Sequence, residues 1–173
     1  MQSRGYSGLC YNEISTRIGI EARHIEGLFP SLETLGAEVA ADYRDAFMAR
    51  LEASEGASTF DLLHRYASLF RKALVEDGRM CLCGMLGAEI GFLPSAVARE
   101  VRDFFECNVA WLTTVFEHGR RRGEIHLDSP AATEANLLVA VLEGAMLVAR
   151  STNRAESFDE SVSVALRRYR LAA

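Results

Sequence analysis

The sequence predicts an all-α protein, because its apolar residues recur at helical spacing, its prolines fall only where that spacing breaks, and no run reads as a strand hairpin. The clearest stripe runs through Val97, Val101, Phe104, Phe105, Leu112, Val115 and Phe116 at steps of three, four and seven. That pattern lines one face of a helix of about six turns or more. The prolines are Pro30, Pro94 and Pro130, each at a break.

Local punctuation then orders the elements. The spacing predicts helices near 10–18, 22–28, 31–53, 58–76, 79–92, 95–122, 130–152 and 157–171. Gly19 supplies the turn between the first two, where a positive φ costs little. Ser31 is placed to cap the third helix, and Ser58 with Asp61 reads as a capping box opening the fourth. Gly123 stands where a glycine ends a helix, with Arg120, Arg121 and Arg122 facing the negative end of its dipole. Ser129-Pro130 reads as an N-cap followed by a proline in the first helical position. No internal repeat or low-complexity linker interrupts the series.

Composition bounds the function. The chain has 173 residues, 49% hydrophobic and 25% charged, enough to form a packed core without disulfide or metal. Its net charge of −5 weighs against a dedicated nucleic-acid binder, though an acidic body can carry a locally basic head. Cys10, Cys81, Cys83 and Cys107 have neither disulfide-framework nor zinc spacing. The first residues hold no apolar signal-peptide core, and the apolar run Leu137 to Ala149 is broken by Glu143 and too short to cross a bilayer. These features predict a cytoplasmic protein with reduced thiols and no membrane partner.

Residues 10–29, CYNEISTRIGIEARHIEGLF, carry Ile14, Ile18, Ile20, Ile25 and Phe29 on two short helices, a helix-turn-helix by spacing. Three packed helices with no further role meet the same pattern. From Gly5 to Phe47, GYSGLCYNEISTRIGIEARHIEGLFPSLETLGAEVAADYRDAF resembles the DNA-binding head of TetR-family repressors. It is nearest to the branch whose recognition helix reads I-H-Y-H-F-P-x-K-x-x-L-G. The stretches Met80 to Phe105 and Phe116 to Ile125 resemble that branch's ligand-binding domain. The resemblance implies a head over 1–47 and a ligand-binding and dimerisation domain over 48–173.

Departures from the family pattern concentrate in the head. Only four residues precede Gly5 where the family has a further helix, whose absence is expected to expose Ile14, Ile18 and Leu28. Cys10 replaces a capping Ser or Thr, Glu26 and Gly27 replace the recognition-helix pair, and Leu32 replaces a backbone-facing lysine. Residues 1–36 hold Arg4, Arg17 and Arg23 against Glu13, Glu21, Glu26 and Glu33, so little phosphate neutralisation is available. By the resemblance, Arg23 and His24 would read bases or phosphates, while Asn12, Arg17 and Ser31 position the backbone.

In the body, LLVAVLEGAMLVA over 137–149 is apolar nearly all round and must be buried on more than one side. The expected dimer contacts are Leu138, Val141, Leu142 and Ala145, with Phe158, Val162, Leu166 and Tyr169 of the last helix. An apolar cavity for a small effector is expected among Tyr66, Phe70, Met80, Cys83, Met85, Phe105 and Trp111, with Glu89 fixing a polar group; each also suits plain core packing. Cys81, Cys83 and Cys107 are either a redox-sensing pocket or buried inert thiols. His64, His118 and His126 lack metal spacing, and no catalytic triad, carboxylate pair, phosphate loop or cofactor motif is present. The sequence therefore predicts a homodimeric repressor that binds a DNA operator under effector control, with neither cofactor nor metal. The alternative is a dimeric sensor or interaction protein whose head no longer binds DNA.

Overall fold

The computed structural model describes residues 1–52 and 57–171, and among them every regular element is helical. In chain order these are α1 (Tyr11–Ile18), α2 (Ala22–Leu28), α3 (Leu32–Glu52), α4 (Thr59–Asp77), α5 (Leu82–Ala88), α6 (Ser95–Arg121), α7 (Ala131–Thr152) and α8 (Ala155–Arg167), with a 3₁₀ turn at Ile90–Phe92. The capping expected from sequence accounts for most boundaries. The Ser58 side chain accepts from Asp61 N–H while the Asp61 carboxylate receives Ser58 N–H, closing the capping box. Ser31 Oγ accepts from Thr34 N–H at 3.1 Å at the start of α3. Gly19, at φ 72°, returns its N–H to Ser15 and ends α1.

Three boundaries differ. The helix expected over 79–92 is shorter, because the chain tightens after Ala88 into a turn held by Phe92 N–H on Glu89 O at 2.8 Å. The last helix spans Ala155–Arg167 rather than 157–171. The N-cap of α7 is Pro130, one residue beyond the expected Ser129, and no side chain caps it.

The chain divides into two compact units, Met1–Ala46 with Leu82–Phe104 and Phe47–Cys81 with Phe105–Ala173. Residues 82–104, expected with the body over 48–173, group by contact with Met1–Ala46. Charge and packing explain that membership. The Glu89 carboxylate receives the backbone N–H groups of Tyr6 and Ser7 at 2.8 and 3.2 Å, clamping the first turn. Gly5 permits this clamp: its φ is 71°, and a Cβ there would lie 1.9 Å from Glu89 Oε1. Glu33 accepts from Ala96 N–H at the start of α6, Arg44 bonds Glu100 at 2.5 Å, and Tyr43 meets Phe104 with ring centroids 5.6 Å apart. Replacing Glu89 with alanine leaves two amides without their acceptor, at a local cost of about 1–3 kcal/mol. Hydrogen exchange at Tyr6 and Ser7 is expected to speed up at least tenfold; unchanged exchange would remove the clamp from the account.

In the second unit, α7 and α8 pack closely through a short turn in which Asn153 takes a left-handed conformation and Arg154 N–H returns to Ala149 O at 2.9 Å. Leu138, Leu142 and Met146 of α7 and Phe158 and Leu166 of α8 are buried. Burial of such a side chain stabilises by about 1.5–3 kcal/mol. α7 is longer than the run Leu137 to Ala149 suggested: it has 22 residues and a mean hydropathy of 1.5 over its most apolar 18, enough by length and composition to cross a bilayer. It is nonetheless a core helix, since Ala131, Glu134, Ala135, Leu138, Val139, Leu142, Met146 and Ala149 are all buried in the protein.

Candidate effector site and DNA-facing head

The second unit holds a polar cluster inside an aromatic wall. Tyr66 of α4 is fully buried, its ring 5.7 Å from Trp111 of α6 and stacked at 21°. Phe70 meets it edge-on at 5.3 Å and Phe47 at 5.9 Å. Helical spacing brings Tyr66 and Phe70 to one face of α4, which is why both join the wall. Despite this burial, Tyr66 Oη makes no hydrogen bond. The Glu143 carboxylate, near the midpoint of α7, has the Cys81 thiol as its hydrogen-bond neighbour. Buried polar groups cost about 1–3 kcal/mol each when left unpaired, so native interiors keep few in that state without a purpose.

The electrostatics follow from the burial. Desolvation pushes the Glu143 carboxyl from 4.5 up to about 7, and the hydrogen bond from the Cys81 thiol acts in the opposite direction. Burial, then Cys81 and Glu143, hold the Tyr66 phenol well above its ordinary range. The Cys81 N–H is taken up by Met146 Sδ at 3.3 Å. Tyr66, Cys81 and Glu143 therefore act on one another's ionisation within the second unit.

The expected effector residues do not all gather there. Tyr66, Phe70 and Trp111 do. Met80 is buried and Phe105 half-buried in the same unit. Cys83 and Met85 belong to the other unit, and Glu89, expected to fix a polar ligand group, spends its carboxylate on Tyr6 and Ser7. Of the thiols, Cys81 and Cys83 are buried and Cys107 is exposed. Glu143 was missed as a site residue because it registered only as a break in an apolar run. A lone carboxylate at the centre of a helix apolar all round was the available signal.

In the head, Ile18 and Leu28 are exposed as expected, at 55% and 76%, while Ile14 is half-buried. Asn12 and Arg17 line a shallow depression with Arg4, Glu13 and Thr16, and Arg23 and His24 are exposed on α2. Two of the basic groups are held by carboxylates, Arg4 by Glu13 at 2.9 Å and Arg23 by Glu21 at 2.6 Å. The Ser31 hydroxyl is occupied as a helix cap. Cys10 stands at the N-cap of α1 without a side-chain hydrogen bond.

The residues expected from sequence at a dimer contact differ in exposure within the single chain. Leu138, Leu142, Phe158, Val162, Leu166 and Tyr169 are at most 8% exposed and face this protomer's own core. Val141 and Ala145 are half-exposed at the edge of that stripe. The apolar side chains left outward on the same two helices are Leu137, Leu147, Val148 and Val164. Leu137, Val141 and Val164 line a surface groove of about 440 Å³ between α7 and α8. Among the described residues, no group of His, Cys, Asp and Glu is arranged to hold a metal.

No family model matches the sequence. The chain is 24% identical over 163 residues to the HTH-type transcriptional repressor DhaR of Mycobacterium sp. (strain GP1), covering 93% of this chain and 82% of that protein. A TetR-family transcriptional regulator from Agrobacterium tumefaciens superposes with a TM-score of 0.93 at 29% identity, over 98% of this chain and 90% of the other. The reduced form of Escherichia coli NemR matches at 0.87 with 20% identity, over 99% and 92%, a likeness of fold.

Proposed function

We propose that this chain, a member of the TetR family of transcriptional regulators, is a repressor whose hold on a DNA operator is controlled by a small, largely apolar effector bound inside its second unit. The observation that carries this reading is the superposition of nearly the whole chain on a solved TetR-family regulator, with the buried, unpaired Tyr66 phenol set among aromatic rings of the second unit. Unpaired buried groups are stabilised by a ligand that pairs them, and a ligand shifts a conformational equilibrium by its differential affinity for the two states. TetR-type regulators are transcription factors, not enzymes. The outward face of α7 and α8 joins two copies into a dimer in the cytoplasm, and each head offers Asn12, Arg17, Arg23, His24 and Ser31 to an operator half-site.

Fluorescence anisotropy with DNA from upstream of the protein's own gene tests the reading. Binding should weaken by about a hundredfold between roughly 50 and 200 mM salt, the signature of several phosphate contacts. Arg17→Ala and Arg23→Ala should weaken it across sequences and flatten the salt slope. The ion pairs that occupy Arg4 and Arg23 favour a second reading, a ligand-sensing dimer with an idle head. Absence of binding at low salt by a folded dimer would establish that second reading in place of the first.

A further inference from the structure

We propose that the surface groove between α4 and α8 of the second unit binds a lipophilic carboxylate, its apolar body on the groove floor and its oxygens on the guanidinium groups of Arg167 and Arg170. The site goes beyond the repressor reading, since it does not depend on what the head binds. The groove holds about 450 Å³, inside the range of about 300–1,000 Å³ usual for small-molecule sites. It shares no lining residue with the groove between α7 and α8, and none with the Tyr66–Trp111 pair.

Helical spacing builds the floor and the edge separately. On α8, Phe158, Val162 and Leu166 recur every four residues and are buried at the floor, where Ala67 of α4 joins them. One residue further on, Asp159, Ser163 and Arg167 recur at the same step and form the edge. Arg71 of α4 spans the groove and grips Asp159 with two bonds, Nε to Oδ1 at 2.7 Å and Nη2 to Oδ2 at 3.0 Å. That fork satisfies the one acidic side chain of the lining. It also displays the chemistry the groove accepts, a carboxylate against a guanidinium edge beside apolar side chains.

Arg167 and Arg170 are left with positive charge and no carboxylate. Arg167 Nη1 donates to Ser163 Oγ at 3.3 Å, which holds the side chain along the groove edge. Arg170, just beyond α8, lies over the Phe60 ring with its Cζ 5.9 Å from the centroid. A guanidinium over a ring uses its face and keeps its N–H donors in the plane. Among the described residues neither arginine has an acidic partner, and His64 stands on the same rim. A carboxylate offers two oxygens to such donors and a single charge to desolvate. An amine would meet like charge, and an alcohol has no charge to pair. Exposed ion pairs are individually weak, so the apolar floor supplies affinity and the arginines supply the choice of head group.

Calorimetric titration of the full chain at low salt with 4-phenylbutyrate, 4-phenylbutanol and 4-phenylbutylamine tests this. The carboxylate should bind about tenfold more tightly than the alcohol, as charge-assisted hydrogen bonds allow, and the amine more weakly than either. Replacing Arg167 and Arg170 together with alanine should bring the carboxylate to the level of the alcohol and leave the alcohol unchanged. Asp159→Asn frees the Arg71 fork and should tighten the carboxylate several-fold. Ser163→Trp should fill the groove and weaken both ligands. Replacing Arg120 and Arg121, exposed at the end of α6, should change nothing. The substituted side chains are exposed or half-exposed, and circular dichroism establishes that each variant is folded. Equal binding of carboxylate and alcohol, equal loss in the Arg120 and Arg121 variant, or no carboxylate binding at millimolar concentration would overturn the proposal. Operator affinity measured on the same samples bears on the repressor reading alone.

Discussion

Glu143→Gln is expected to raise the melting temperature by roughly 5 °C at pH 8 and to leave it nearly unchanged at pH 5, given about 2–4 °C per kcal/mol for a chain of this size. The effect comes from linkage. Burial holds the folded-state carboxyl at about 7, against 4.5 in the unfolded chain. Between those values the native state keeps a proton that the unfolded state has released, so stability falls as pH rises through this window and levels off above it. The full difference amounts to about 3 kcal/mol, from about 1.36 kcal/mol for each pH unit. Glutamine does not titrate and removes the slope, but burying its amide still carries a desolvation cost, which trims the gain. Thermal melts at fixed protein concentration measure the difference, since any self-association would otherwise move the midpoint. A natural chain whose melting temperature is flat from pH 5 to pH 8 would show that this carboxyl is not the buried titrating group.

Leu147→Glu is expected to turn a dimer into a 19.1 kDa monomer at micromolar concentration. Leu147 and Val148 are each 56% exposed on α7, as is Val164 on α8, and all lie on the side away from the protomer's core. A twofold interface presents the same patch twice, so one substitution buries two carboxylates. An unpaired buried charge costs about 3 kcal/mol or more, so the dimer should weaken at least about a hundredfold. The monomer's own fold should survive, because residue 147 is already solvated within it. Sedimentation velocity separates the species. A natural chain that sediments as a monomer, or a variant that stays dimeric, would place the interface elsewhere. Operator affinity should fall with the dimer, since two linked heads engage two half-sites together.

Helices were legible in this sequence wherever a side chain or glycine fixed their ends: the Ser58–Asp61 box, Ser31 and Gly19 each stand where the pattern placed them. The break after Ala88 was not, because LGAEIGF keeps an apolar rhythm through a turn whose shape depends on where the Glu89 carboxylate is anchored. Faces were harder than elements. Phe158, Val162 and Leu166 do share one stripe, but periodicity reports which residues lie together and not whether they meet their own core or another copy. Glu143 escaped for a related reason. Its neighbours Tyr66 and Cys81 come from α4 and the segment before α5, distant in the chain, so only the assembled unit shows them.

The apolar length of α7 has a consequence before folding. A nascent segment of 22 residues with that hydropathy resembles, to the machinery that sorts chains at the ribosome exit, a candidate for lateral insertion into lipid. Until α8 and α4 cover it, nothing in its length distinguishes it. Acidic residues do: an ionised carboxylate near the centre of a spanning helix raises the insertion free energy by about 2.5–3.5 kcal/mol, and Glu143 stands at that centre with Glu134 one end-ward half-helix away. The carboxyl that lowers the stability of the finished protein above neutral pH is thus also the gatekeeper that directs its unfinished chain toward water.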